Sequence, residues 1–281
     1  MIAYTPTELS EGFSAVGLTD GDTVYLSTQL YGLGRMIGAT DKDDFLSKIF
    51  TAICAAIGRN GTLVVPTFTQ QVGRIGLTYI HERTATMAGI FGQYILCRKD
   101  AVRSLHPIFS VAAIGPKKHQ VCDDISPVAF GADSTFDRLA KMGAKAVCVG
   151  FDYYSGHIVS LMHYVETRFG VPYYYNKIVE ADAYIGARKL EQTFIINVKY
   201  LNIAVEFDYH RYIDALGTRN MVRSAPVGGG FIYEVDVADM VEVGLSELKQ
   251  DLHSFLAHPP AYKVGEPPLD GPEYGKSEAS T

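Results

Sequence analysis

Apolar residues in the N-terminal part of the chain switch between two spacings, and each switch marks a new element. Leu9, Phe13 and Val16 recur at helical spacing behind Thr5-Pro6-Thr7-Glu8. That tetrapeptide carries a cap, a proline at the first helical position and a capping-box glutamate, so the spacing predicts a helix opening at Pro6. After the turn Leu18 to Asp22, the run Thr23 to Leu26 is short, apolar and β-rich, which predicts a buried strand ending at Ser27-Thr28. The order then repeats. Asp41 to Asp44 opens a second helix with Phe45, Ile49, Phe50, Ile53 and Ile57 at helical spacing, and Gly58 to Gly61 closes it. Thr62 to Val65 is another buried strand, stopped by Pro66, with Thr67, Phe68 and Thr69 beyond its end. Two helix-then-strand units thus finish in hydroxyl residues. Ligands of open α/β sheets bind beyond the carboxyl ends of the strands, so a site is expected there.

Further along, Gln70 to Glu82 has no strong pattern and reads as a polar loop. Met87 to Leu96 reads as a helix, Val102 to Pro107 as extended chain and Ile108 to Ile114 as a strand. Ser134, with Asp137 three residues on, caps the next helix. Lys145 to Val149, closed by Gly150, is a buried strand, followed by a loop from Phe151 to Gly156 and another helix. The aromatic stretch Val171 to Lys177 is expected to line or pack near a cleft. Thr193 to Tyr200 alternates as an antiparallel strand, Asn202 to Phe207 reads as a short strand, and Asp208 to Leu216 as a helix. Val222 to Val227 and Phe231 to Val235 flank Gly228-Gly229-Gly230 as a hairpin, and Val237 to Leu256 is amphipathic. The predicted fold is α/β: a mixed central sheet flanked by helices, with an antiparallel lobe in the C-terminal half. One domain is expected over residues 1–257, with a core to about 180, the lobe over about 181–236 and a final helix. From His258 the chain is rich in Pro, Gly, Glu and Ser and reads as a flexible tail over 258–281.

The formal net charge of −6 argues against a general nucleic-acid binder, which would be basic. No run of eighteen apolar residues and no signal-like segment opens the chain, so a cytoplasmic protein without a membrane span is expected. Cys54, Cys97, Cys122 and Cys148 lack metal-type spacing and read as reduced structural thiols; no metal site is expected. A homo-oligomer stays open.

The stretch with most chemical content is Ser160-Leu161-Met162-His163-Tyr164-Val165-Glu166. On a helix, residues three apart share a face, so a hydroxyl, an imidazole and a carboxylate would form one stripe. A carboxylate beside an imidazole fixes its tautomer, which suits a general base. The same pattern also fits a capped helix with a surface His-Glu pair, and the residues alone leave both readings open. The glycine turn Gly32-Leu33-Gly34 is likewise either a plain turn or an unobstructed set of N–H groups for a thioester, amide or phosphate.

Four stretches, in order, resemble one family. Gly21 to Leu30 is similar to its first strand and hydroxyl-rich turn, Gly61 to Thr69 to its GTLxxPTFT strand, and Arg103-Ser104-Leu105-His106-Pro107 with Ser110 to Gly115 to its RSxHP and SxAAxG block. The stretch from Ser160 to Glu166 is similar to its TxxHxxE segment. The family is that of the aminoglycoside 3-N-acetyltransferases, CoA-dependent enzymes whose fold is not that of the GNAT acetyltransferases. In its GxxSPxxRL-like segment, Thr135 stands here where the family has proline.

The resemblance implies an N-acyltransferase that takes acetyl-CoA or a longer acyl-CoA as co-substrate and an amino sugar as small-molecule amine acceptor. It implies His163 as base, Glu166 as its orienting group, and Ser160 as a donor to the oxyanion or the leaving thiolate. It places the acyl donor near Ser27, Thr28, Gln29, Gly32, Thr67, Thr69, Ser104 and His106. Arg74, Glu82, Tyr154 and Arg168, with His157, are expected toward the acceptor. The loop from Gln70 holds one acid, Glu82, and one arginine, Arg74. That balance favours a nucleotide-linked amino sugar over a polycationic aminoglycoside. A serine hydrolase using Ser104 or Ser160 with His163 is the alternative, weakened by the lack of a GxSxG elbow.

Overall fold

The computed structural model describes residues 2–154, 159–200 and 203–262. The chain begins with β1 (Ala3–Tyr4), α1 (Pro6–Ala15) and β2 (Thr23–Thr28), followed by β3 (Arg35–Met36), α2 (Lys42–Ile57) and β4 (Thr62–Pro66). Local chemistry sets these boundaries as the sequence predicts. Thr5 and Glu8 form a complete capping box on α1, and the Asp41 side chain accepts from the Asp43 and Asp44 N–H groups at the start of α2.

The presumed loop after β4 is partly ordered into α3 (Gln70–Ile75) and β5 (Tyr79–Ile80). Next come α4 (Ile90–Leu96), β6 (Val102–Arg103), β7 (Val111–Ile114), α5 (Lys118–Cys122) and α6 (Thr135–Lys141), then β8 (Lys145–Val149) and α7 (Val159–Phe169). The C-terminal part holds β9 (Tyr174–Ile178), β10 (Ala183–Ile185), β11 (Arg188–Lys189) and β12 (Ile195–Lys199). It continues with α8 (His210–Thr218), β13 (Arg223–Val227), β14 (Gly230–Asp236) and α9 (Val237–Gln250).

Seven strands form the main sheet in the order β13-β14-β8-β2-β4-β7-β6. Its centre, β8-β2-β4, is parallel, and antiparallel hairpins extend it on both sides. Alternation along β2 divides the core: Val24 and Leu26 pack with Leu9 and Phe13 of α1 and Leu46, Ile49 and Ile53 of α2. Tyr25 points to the other face and joins Leu139 of α6, Leu161 and Val165 of α7, and Met240 of α9. Every strand of the parallel centre is buried on both faces, which is why it reads as an unbroken apolar run.

The C-terminal organisation differs from the expected lobe over 181–236. The hairpin β13–β14 is not part of a separate unit; β14 pairs with β8 from Ile232↔Val149 to Asp236↔Lys145, making it an edge of the central sheet. The antiparallel pair outside that sheet is β9 with β12, and β10 runs parallel to β5 from the N-terminal half. Pairing partners come from distant sequence, and periodicity of two carries no information about them. Residues 203–207 form no strand, only an isolated bridge from Phe207 to Leu256, and α9 ends at Gln250, short of the apolar run to Leu256. The tail expected over 258–281 lies outside the described residues from 263 on. Among the described residues, no helix is long and apolar enough to cross a membrane, and no cluster of His, Cys, Asp and Glu is arranged to hold a metal ion.

Candidate active site

Helix α7 follows β8, so its first turns lie at the carboxyl end of the parallel strands. The helix repeat carries residue i+3 about 60° short of a full turn, so Ser160, His163 and Glu166 step around the axis rather than stacking. Ser160 faces the sheet: it is buried, and its Oγ lies 2.8 Å from the Tyr25 hydroxyl of β2. His163 and Glu166 face each other, with Nδ1 2.9 Å from Oε2. The Glu166 side chain is 0% exposed and that of His163 is 13% exposed. A dry carboxylate next to a nearly dry imidazole is an arrangement water does not weaken.

The chain then turns back at Gly170, whose φ of +83° suits glycine, and brings two consecutive tyrosines against the pair. The Tyr173 hydroxyl donates to Glu166 Oε1 at 2.9 Å, and the Tyr174 hydroxyl lies 3.1 Å from His163 Nδ1. Burial, followed by the Glu166 charge, pushes the Tyr173 phenol well above its ordinary range, so it stays a donor. Three rings box the imidazole: Phe130, Tyr174 and Phe207, with centroids 5.7, 5.8 and 5.8 Å away, all edge-on. Nδ1 is thus committed to Glu166 and Tyr174, and no described group hydrogen-bonds Nε2. With the proton assigned to Nδ1, where the carboxylate accepts it, Nε2 presents a lone pair, the state a general base needs.

The residues expected around the acyl donor separate into two groups. Ser27, Thr28 and Gln29 are half-buried where β2 ends beside β8, Ser27 opposite Cys148 and Thr28 opposite Val149. Gln29 Nε2 is bonded to the Tyr31 hydroxyl. The others are internal. Thr67 Oγ1 pairs with Ser110 Oγ at 3.0 Å, and Thr69 Oγ1 donates to the Pro107 carbonyl at 2.5 Å; both threonines are fully buried. Ser104 Oγ accepts from the Val111 N–H, and His106 Nδ1 accepts from the Ile108 and Phe109 N–H groups. Burial pushes His106 down to about 4, so it stays neutral and holds the turn before β7. The Gly32 N–H is spent on the Gln29 carbonyl and that of Gly34 on Tyr31. A Cβ on Gly32 would overlap the Gly150 carbonyl oxygen. Gly32 therefore serves close packing of two loops rather than an open set of donors.

The residues expected at the acceptor are dispersed. Tyr154 donates to Asp214 Oδ1 at 2.8 Å and packs on His210 at 4.4 Å between centroids. Arg168 Nη1 donates to the Tyr164 hydroxyl on the side of α7 away from Glu166. Arg74 is exposed in the last turn of α3, and the Glu82 carboxylate accepts from the Gly186 N–H, which holds it below the usual carboxylate range. None of the four is among the groups that contact His163 or Glu166. His157 lies outside the described residues. The contacts that spacing could not show are Tyr25, Phe130, Tyr173 and Phe207. The aromatic run Val171 to Lys177 was the only sequence signal for any of them.

The profile of the family described as aminoglycoside 3-N-acetyltransferase matches residues 30–249. A protein of Streptomyces fradiae named aminoglycoside N(3)-acetyltransferase VIII is 24% identical over 68% of this chain and 70% of its own length. Aminoglycoside N(3)-acetyltransferase VII of Streptomyces paromomycinus is 27% identical over 60% of this chain and 62% of its own. Among solved structures, aminoglycoside acetyltransferase AAC(3)-Xa superposes with a TM-score of 0.73 at 21% identity, covering 89% of this chain and 94% of that one. A structure described as AAC-IIIb binary with CoASH superposes at 0.74 and 18% identity, covering 92% and 100%. The fold is the one shared by these proteins.

Proposed function

This chain belongs to the aminoglycoside 3-N-acetyltransferase family, and on that premise we propose that it transfers an acetyl group from acetyl-CoA to an amino group of an aminoglycoside-type amino sugar, with His163 as general base and Glu166 as the group that orients it. The observation that carries this is the dyad: Nδ1 fixed on a fully buried carboxylate, Nε2 left for substrate. An alkylammonium has no lone pair, so it must lose a proton before it attacks. His163 Nε2 takes one proton, the neutral amine attacks and the N–C bond forms at the thioester carbonyl, the C–S bond breaks, and the proton held on Nε2 passes to the departing sulfur. The second nitrogen proton, acidic once the N–C bond has formed, then leaves through the freed Nε2 to solvent, so the products are the amide, the CoA thiol and one proton. Glu166 stabilises the imidazolium between those events.

The half-buried hydroxyls of Ser27 and Thr28, at the carboxyl end of a parallel strand, suit the polar part of the thioester arm. Ser160 is proposed to dock α7 onto β2 through Tyr25 rather than to meet the oxyanion. A serine hydrolase loses its support on geometry, because Ser160 bonds Tyr25, Ser104 bonds a backbone N–H, and neither bonds His163. The preference for a phosphate-bearing acceptor rested on the charge balance of the loop from Gln70, with Arg74 toward the cleft; the family match favours an aminoglycoside-type acceptor instead.

Thiol release from acetyl-CoA and longer acyl-CoAs, measured against aminoglycosides and nucleotide-linked amino sugars, tests this reading. Release is expected with acetyl-CoA and an aminoglycoside; turnover of sugar nucleotides alone would overturn the acceptor. Donor binding has its own measurement. CoA at a hundredfold excess over its Kd should stabilise the fold by about 2.7 kcal/mol, read as a rise in Tm, and Ser27→Ala with Thr28→Ala should shrink that rise. No rise with millimolar CoA or acetyl-CoA would count against an acyl-CoA enzyme.

A further inference from the structure

We infer that Tyr173 is a positioning residue of the transfer reaction: its hydroxyl keeps Glu166 ionised and keeps the His163 proton on Nδ1. The inference rests on the general-base reading above. Glu166 is 0% exposed, so water supplies none of its hydrogen bonds. Its two oxygens are served by one donor each, His163 Nδ1 at Oε2 and the Tyr173 hydroxyl at Oε1. A buried carboxylate with two neutral donors is held charged by both of them, and losing either leaves a charged oxygen bare. Tyr173 is itself 0% exposed, which fixes its ring and prevents water from replacing it.

Tyr174 makes the balance asymmetric. Its hydroxyl lies at the same Nδ1, slightly farther than Glu166, at 3.1 against 2.9 Å. While Glu166 is ionised, the Nδ1 proton points to the carboxylate and Tyr174 has only the weaker branch. If Glu166 takes a proton, the carboxylic acid and the Tyr174 hydroxyl are both donors aimed at Nδ1. The stable imidazole is then the tautomer with its proton on Nε2, which cannot act as base. Tyr173 therefore selects between a working and a blocked tautomer without touching substrate. Besides the Tyr174 ring, 5.2 Å away between centroids, the other groups against Tyr173 are the His253 ring, 6.3 Å away, and Tyr262. Neither hydrogen-bonds Glu166 among the described contacts.

Tyr173→Phe removes one oxygen and keeps the ring. Losing a hydrogen bond to a buried charge is expected to lower kcat by about ten- to hundredfold, with KM for both substrates near that of the parent. Nitrogen NMR of His163 in acid should show the Nε2–H tautomer in the variant and not in the parent. Tyr174→Phe should preserve the parent tautomer. A double-mutant cycle separates positioning from packing: in a Glu166→Gln background, Tyr173→Phe should cost little further kcat, whereas a packing role would cost the same in both backgrounds. An unchanged kcat and tautomer in folded Tyr173→Phe would overturn the proposal, as would additive losses in the cycle. A His163→Ala protein that kept full activity would instead sink the general-base reading, whatever Tyr173 did.

Discussion

Replacing His163 by alanine should lower kcat by roughly 10²–10⁴-fold, the usual worth of a positioned base, while the protein stays folded. The size follows from the site's dryness. With Nε2 gone, no described group takes its place against the substrate: Glu166 loses its Oε2 partner but is buried one turn away and still held by Tyr173 at Oε1, and the phenols of Tyr173 and Tyr174 are poor bases. Only amine that arrives already neutral can then react, so the residual rate should climb with pH across the acceptor's own ionisation, where the parent rate has levelled. Tm should fall, because the variant leaves Glu166 Oε2 without its donor and empties the aromatic box, but the fold should hold, because the core contacts of α7 come from Leu161, Met162 and Val165. Glu166→Gln should cost less kcat than His163→Ala, since the imidazole remains. Steady-state kinetics with circular dichroism on the same samples decides it: a folded His163→Ala protein with parental kcat would remove His163 from the chemistry.

Arg103→Met should be strongly destabilising, by roughly 3–5 kcal/mol, or about 10 °C in Tm at this chain length. Arg103 sits in the short edge strand β6 and its guanidinium reaches across to the loops that follow β4. Nη1 donates to the His81 and Thr84 carbonyls at 3.0 and 2.8 Å, Nη2 to the Thr67 carbonyl at 3.1 Å, and Nε to Ser110 Oγ at 3.0 Å. Its Cζ also lies 5.2 Å from the centre of the Tyr79 ring. Methionine fills a similar length but donates nothing, so several part-buried carbonyls lose their charged partner together. Lysine should recover only a fraction, because one ammonium cannot span acceptors that the planar fork reaches in two directions. Thermal unfolding followed by circular dichroism checks this, and a Tm within a few degrees of the parent would show that the loops close without the guanidinium. His163 and Glu166 do not contact this network, so kcat at low temperature should survive where Tm does not.

These two residues also show how far the sequence reaches. The His163 and Glu166 pairing was legible because both partners lie within one turn of one helix, and helix geometry converts a spacing of three directly into proximity. The helix caps and the parallel-strand cores were legible for the same reason: a cap, a period of 3.6 or a run of buried residues is settled by neighbours in sequence. The motif around Arg103, Ser104 and His106 was visible as a pattern, but its meaning was not. Resemblance put Ser104 and His106 beside the acyl donor, whereas the structure spends them on the backbone N–H groups of the turn before β7.

What the sequence determined by itself is therefore local: where helices start, which strands are buried on both faces, and which imidazole has a carboxylate one turn away. Tertiary structure decided everything that depends on partners far along the chain. It placed the Arg223–Asp236 hairpin on β8 as part of the central sheet, because strand pairing is chosen by the packing of whole faces and not by the pattern of one strand. It turned Ser160 to Tyr25, 135 positions away, instead of along the stripe to His163. And it closed the site from outside α7, with Phe130, Tyr173, Tyr174 and Phe207 arriving from three other segments to dry the dyad. A general base needs both levels. Three residues of helix bring the imidazole and carboxylate together, but only long-range packing excludes the water that would otherwise loosen their bond.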